Sequence, residues 1–141
     1  MKLSESIVYI SGPYRAPTIL GVIWNIYKAR RASKRWWGEH PVICPHLNTA
    51  FFGGDVKYIE GDLEIIRRLH KKDIIFMLSG WENSQGSCKE LELAIERGLQ
   101  VKYERPPVFK SLESPWDLVD GVELKPDTLH IVDYLRPEGV Q

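Results

Sequence analysis

The chain has 141 residues, enough for one domain with a real core and too few for two of ordinary size. Its 43% hydrophobic and 27% charged residues match the composition of soluble globular proteins. Lys+Arg and Asp+Glu both number 19, and this zero balance argues against a general electrostatic grip on nucleic acid, leaving only a local basic patch open.

Residues 1–5 lack the apolar centre of a signal peptide. Residues 7–10, Ile-Val-Tyr-Ile, form a β-branched and aromatic run closed by Ser11-Gly12-Pro13, and read as a central first strand followed by a strand-to-helix loop. Arg15 in that loop reads either as a solvated side chain or as a bidentate partner for an anion. From 18 to 37 the apolar residues Ile19, Val22, Ile23, Ile26, Ala29 and Trp36 mark an amphipathic helix, with Thr18 as N-cap and Gly38 as C′ residue. The cations Lys28, Arg30, Arg31, Lys34 and Arg35 fall mostly away from that stripe, on a solvated face. Asn25 is placed either to bond the neighbouring loops or to face solvent.

Residues 41–45 read as a second buried strand, closed by Pro45. His46, Asn48 and Thr49 follow at its carboxyl end, where open α/β sheets bind ligands, and form either a ligand-reading cluster or a structural turn. Phe51 and Phe52 stand in an irregular stretch, as a lid over a planar ligand or as core. Tyr58, Ile59, Leu63, Ile66 and Leu69 mark a second helix with Asp62 one turn inside it. A third strand at 73–78, a third helix stopped by Arg97-Gly98 and a fourth strand at 101–103 complete the pattern. Alternation of this kind predicts an α/β fold: a three-layer, Rossmann-like (flavodoxin-like) parallel sheet of about 4–5 strands with helices on both faces. The domain spans 1–105, and 106–141 is an extension packed on it or on a partner subunit.

The loop Gly80-Trp81-Glu82-Asn83-Ser84-Gln85-Gly86-Ser87 leaves the third strand and enters the third helix, where backbone N–H groups can meet an anion. Glu90 then falls in the first turn of that helix, at the mouth of the crevice, as a candidate catalytic carboxylate. Ser87-x-x-Glu90 is equally a capping box, in which Ser87 is the N-cap and Glu90 bonds back to its N–H. Trp81 reads as core or as a stacking surface.

No apolar run approaches the roughly 20 residues of a membrane span, and a cytoplasmic location is expected. Cys44 and Cys88 read as reduced thiols. His40, His46, His70 and His130 form no ligand pattern, so neither metal nor cofactor is expected.

The residues Tyr9-Ile10-Ser11-Gly12-Pro13-Tyr14-Arg15, then Asn25 and Ala29, Ile43-Cys44-Pro45-His46, Asp62, Asp73 and Ser84-x-Gly86-x-x-x-Glu90 occur in an order that resembles the nucleoside 2-deoxyribosyltransferase-like superfamily. The match, over about residues 6–104, looks closest to a branch common in phage and bacterial genomes, and is similar to the 2′-deoxynucleoside 5′-phosphate N-hydrolases. The resemblance implies Glu90 as a nucleophile that forms a glycosyl-enzyme ester, with Asp62 as a second carboxylate serving the leaving base. It implies substrate contacts from Tyr9, from the backbone around Gly12, from Arg15 to a 5′-phosphate, and from Ser84, Gly86 and Ser87, with His46 and Asn48 nearby. Ser84, where the transferases tend to carry Asp, favours the phosphate-binding hydrolases. The inserted Gly80-Trp81-Glu82-Asn83 departs from the hydrolases and leaves open a deoxynucleotide, a ribonucleotide or a modified pyrimidine as substrate. The expected activity is hydrolysis of the N-glycosidic bond of (deoxy)nucleoside 5′-monophosphates by a homo-oligomer, with no membrane or stable nucleic-acid partner. The alternatives are a base-exchanging transferase, a non-catalytic nucleotide sensor, and a partner-binding protein that uses an exposed Trp116.

Overall fold

The computed structural model describes residues 2–53 and 57–105. The order of elements is β1 (Val8–Ser11), α1 (Ile19–Trp36), β2 (Val42–Ile43), α2 (Pro45–Asn48), α3 (Tyr58–Arg67), β3 (Ile74–Met77), a 3₁₀ turn (Trp81–Asn83), α4 (Gln85–Glu96) and β4 (Gln100–Tyr103). The four strands are all parallel, in the order β2-β1-β3-β4, the start of the flavodoxin-like order. The expected α/β sheet is therefore present, and β1 is an inner strand. The order reverses between β1 and β3, which places the ligand crevice of such a sheet at their carboxyl ends.

Strand alternation divides the core into two layers. Val8, Ile10, Ile74, Phe76 and Leu78 form one cluster with Cys44 and with Ala29 and Ala32 of α1, flanked by Trp36 and Val42. Trp36 meets Phe76 edge-on at 5.3 Å. The alternate residues Tyr9, Ser11, Ile75 and Met77 are buried toward the other layer, which carries the buried Ile66 of α3 and Leu91 and Ala94 of α4. Asp73 joins the amino ends of the two inner strands: Oδ1 accepts from Ile7 N–H at 2.9 Å and Oδ2 from His70 N–H at 2.6 Å.

Several local expectations change. Thr18 does cap α1, its hydroxyl accepting from Gly21 N–H at 3.1 Å. Of the predicted stripe only Ala29 is fully buried; Val22, Ile26 and Trp36 are half-buried, and Ile19 and Ile23 are exposed, along with Leu20, Trp24 and Tyr27. An 18-residue helix is about 27 Å long, and a four-residue strand about 13 Å, so the early turns of α1 overrun the sheet. Gly38 follows the C-cap Trp37 and is the expected C′ residue, though without a left-handed conformation. Gly98 has one, at φ 75°, and α4 closes with the paired bonds Leu99 N–H to Ala94 O and Gly98 N–H to Ile95 O of a Schellman motif. The second strand is only two residues long, because Pro45 opens the one-turn helix α2.

The chain up to Glu104 forms one compact unit. The expectations placed on 106–141, Trp116 and His130 included, lie outside the described residues. Among the described residues, no helix is long and apolar enough to cross a membrane.

Candidate active site

A cavity of about 540 Å³ opens at the carboxyl ends of β1 and β3. Its walls come from the β1–α1 loop, from α2 and the chain after it, from α3, and from the 3₁₀ turn with the start of α4. Gly12, Arg15, His46, Asp62, Ser84, Gly86, Ser87 and Glu90 of the expected site all line it. Tyr9 stands one row behind, fully buried, and Asn48 is absent from the wall and exposed. The Asn48 assignment is thus corrected. Residues 46 and 48 of a helical turn diverge by about 200°, so burying His46 turns Asn48 to solvent.

The capping-box reading is also corrected. Ser84, not Ser87, is the N-cap of α4: its hydroxyl accepts from Ser87 N–H at 3.2 Å. Glu90 therefore falls at the sixth helical position, in the second turn, and does not bond back to the N-cap. The 3₁₀ turn sets this register. Gly80 at φ 90° starts it, Trp81 anchors it in the core beside Tyr103 at 5.9 Å, and Cys88 N–H donates to Ser84 O at 3.0 Å. Gln85 and Gly86 occupy the first two helical positions, whose N–H groups have no partner within the helix. Ser87 and Glu90 are three residues apart and share a face. The Ser87 hydroxyl is buried and has no partner among the described residues.

Glu90 lies deep in the wall. Ser11 Oγ donates to its Oε1 at 3.4 Å, a long bond, while Oε2 is buried without a partner among the described residues. The phenol of Tyr9 lies close enough to couple electrostatically to this carboxyl, yet its oxygen also lacks a bond of good geometry. Desolvation, reinforced by the charge of Asp62, outweighs the contacts to Tyr9 and Ser11 and lifts the Glu90 pKa to about 8. Burial lifts Asp62 to about 6. Burial and the neighbouring carboxyls drive the Tyr9 phenol upward, so it is a neutral donor. Two carboxyls that share a cavity and hold protons near neutrality are suited to nucleophilic and acid–base work.

The β1–α1 loop in the cavity wall is held by bonds to its backbone carbonyls. Asn25 Nδ2 donates to Tyr14 O at 3.1 Å, which fixes the loop that presents Arg15 and settles the role of Asn25. Arg15 is exposed at the cavity rim and makes no ion pair among the described residues. His46 Nε2 lies 3.0 Å from Pro13 O, and since a carbonyl only accepts, that nitrogen carries the proton. Its Nδ1 is buried and has no partner among the described residues, and burial lowers the pKa of the ring. Gly12 is bare for a packing reason: a Cβ there would lie 2.7 Å from Leu78 Cβ.

Sequence reasoning missed Ser11, Tyr58, Asn83 and Gln85, of which the last three line the cavity. Ser11 shares the strand face of Tyr9, and Tyr58 lies one helical turn before Asp62, so both were recoverable from periodicity. Among the described residues, no group of three His, Cys, Asp or Glu side chains is placed to hold a metal ion.

No match is found among curated proteins. Residues 7–103, more than two thirds of the chain and the whole of the sheet, match a family described as a domain of unknown function (DUF4406). The chain belongs to that family.

Proposed function

We propose that the protein is an N-glycosidase that hydrolyses (deoxy)nucleoside 5′-monophosphates to free base and (deoxy)ribose 5-phosphate. The observation that carries this reading is Glu90. It is a carboxyl in the wall of a ligand-sized cavity, freed from any capping duty and with one oxygen unsatisfied. The resemblance to nucleoside 2-deoxyribosyltransferase-like proteins supports it, as does Arg15, which lines the same cavity as the first turn of α4 and has no ion pair among the described residues, so that a phosphate bound there can meet both a guanidinium and helix N-terminal N–H groups.

In the proposed reaction Glu90 attacks C1′ of the sugar as a carboxylate. The C1′–N bond breaks, its electron pair leaves with the base, and protonated Asp62 supplies the proton to the departing nitrogen. Asp62 then takes a proton from water, the water oxygen bonds to C1′, and the ester bond releases its electron pair back to Glu90. The positive charge that develops on the sugar favours the anionic form of Glu90. Between about 6 and about 8 the pair holds one proton, which the order of the two pKa values puts mainly on Glu90, so the competent form is the minor arrangement with that proton on Asp62. The rate at low substrate is expected to be bell-shaped over that window.

The test is to incubate wild type and Glu90→Ala with nucleosides and nucleoside 5′-monophosphates and to follow free base by chromatography. Base released from monophosphates by wild type alone supports the reading. Equal nucleotide binding by both proteins, with no base released even when a second base is added as acceptor, would replace it with a sensor.

A further inference from the structure

Phe51 has φ 61°, and no other described residue apart from glycine has a positive φ. A bulky side chain in that region is strained, and such strain persists only where surrounding bonds over-determine it. Here they do. Phe51 N–H donates to the hydroxyl of Tyr14 at 3.1 Å, Phe52 N–H donates to Thr49 O at 3.2 Å, and the Tyr58 hydroxyl donates to Gly53 O at 2.7 Å. The result is that Phe52 stands in the cavity wall with 57% of its surface exposed, while Phe51 is off the wall. A large aromatic ring pinned in water by a strained neighbour gains nothing from the fold itself. It gains when a flat ligand covers it.

The location of the ring favours one end of the proposed substrate. Tyr58, which ties down this stretch, lies one turn from Asp62 on α3 and so shares its face. Asp62 is the group assigned to the leaving base, whereas Arg15 and the start of α4 are assigned to the phosphate. Resting on that reading of the cavity, we infer that Phe52 is the stacking face for the base, and so determines that the substrate carries a planar heteroaromatic leaving group.

Binding is measured by calorimetry in the Glu90→Gln background, so that no ligand turns over. The probes are the 2′-deoxynucleoside 5′-monophosphates of the four common bases and, as the base-free control, 2-deoxyribose 5-phosphate. Phe52→Ala is expected to weaken the nucleotides by roughly five- to a hundredfold and leave the sugar phosphate unchanged. Phe52→Trp should retain nucleotide affinity, and Phe51→Gly should too, because glycine adopts the same backbone without strain. The inference is overturned if Phe52→Ala weakens nucleotide and sugar phosphate alike, if it weakens neither, or if Phe51→Gly loses as much as Phe52→Ala. If the Glu90→Gln protein binds the sugar phosphate and none of the nucleotides, the nucleotide reading fails and takes this assignment with it.

Discussion

Asp73 and Glu90 are acids at opposite ends of the same two inner strands, and the protein treats them in opposite ways. At the amino ends, both oxygens of Asp73 accept backbone N–H groups, at 2.9 and 2.6 Å. At the carboxyl ends, Glu90 has one long bond from Ser11 and a buried oxygen with none among the described residues. A carboxylate that accepts two N–H groups is at its energetic minimum and serves the fold. One left short of donors in a desolvated wall is held in a costly state that a ligand can relieve. Under the proposed function, the contrast separates a structural acid from a working one without reference to either residue's type.

The sharpest way to break this comparison is to exchange the consequences. Glu90→Gln should lower the rate of base release by about 1000-fold or more, about 4 kcal/mol of barrier, because an amide cannot form the glycosyl ester. The same variant should unfold in urea no more easily than wild type. Asp73→Ala should do the reverse, costing about 3 kcal/mol of stability in urea as two N–H groups lose an anionic acceptor. Residual folded protein should keep its turnover. If Asp73→Ala spared stability, or Glu90→Gln spared the rate, the two acids would not differ as described.

A smaller effect follows from pH. The Glu90 carboxyl titrates at 4.5 ordinarily and about 8 in the folded protein. Between those values the unfolded chain has lost the proton that the folded one retains, so the contribution of Glu90 is full below 4.5 and falls as pH rises to about 8. Relative to Glu90→Gln, wild type should lose at most about 1.4 kcal/mol per pH unit across that window, read from melting curves of the two proteins. A constant gap would show that Glu90 ionises normally. The smallest effect is Ser84→Ala, which should cost about 1 kcal/mol in urea as the α4 cap is lost, and should raise KM for a phosphorylated substrate.

Much of this organisation was readable in the chain. The runs at 7–10 and 73–78 are β-branched enough to define the two inner strands, and Arg97-Gly98 marks the end of α4 through a backbone conformation that glycine alone adopts freely. The exact placement of Glu90 was not readable. Ser84 and Ser87 are both sound caps by composition, and the choice is made by tertiary anchoring of Trp81 three residues upstream. Which of His46 and Asn48 faces the cavity likewise depended on a one-turn helix too short for periodicity to register. The exposed first turns of α1 reflect relative lengths of helix and strand, a property of the assembled sheet rather than of either segment.

Gly12 looks, in the sequence, like the bare residue of a ligand-binding loop, but the space it vacates is filled by Leu78 of the neighbouring chain segment. Two positions 66 apart in the chain thus share one fixed volume. They should be inherited as a pair: a relative with a side chain at the first should carry glycine at the second. Alanine at Gly12 should be tolerated here only together with Leu78→Gly, because the nearest clashing atom is the Leu78 Cβ.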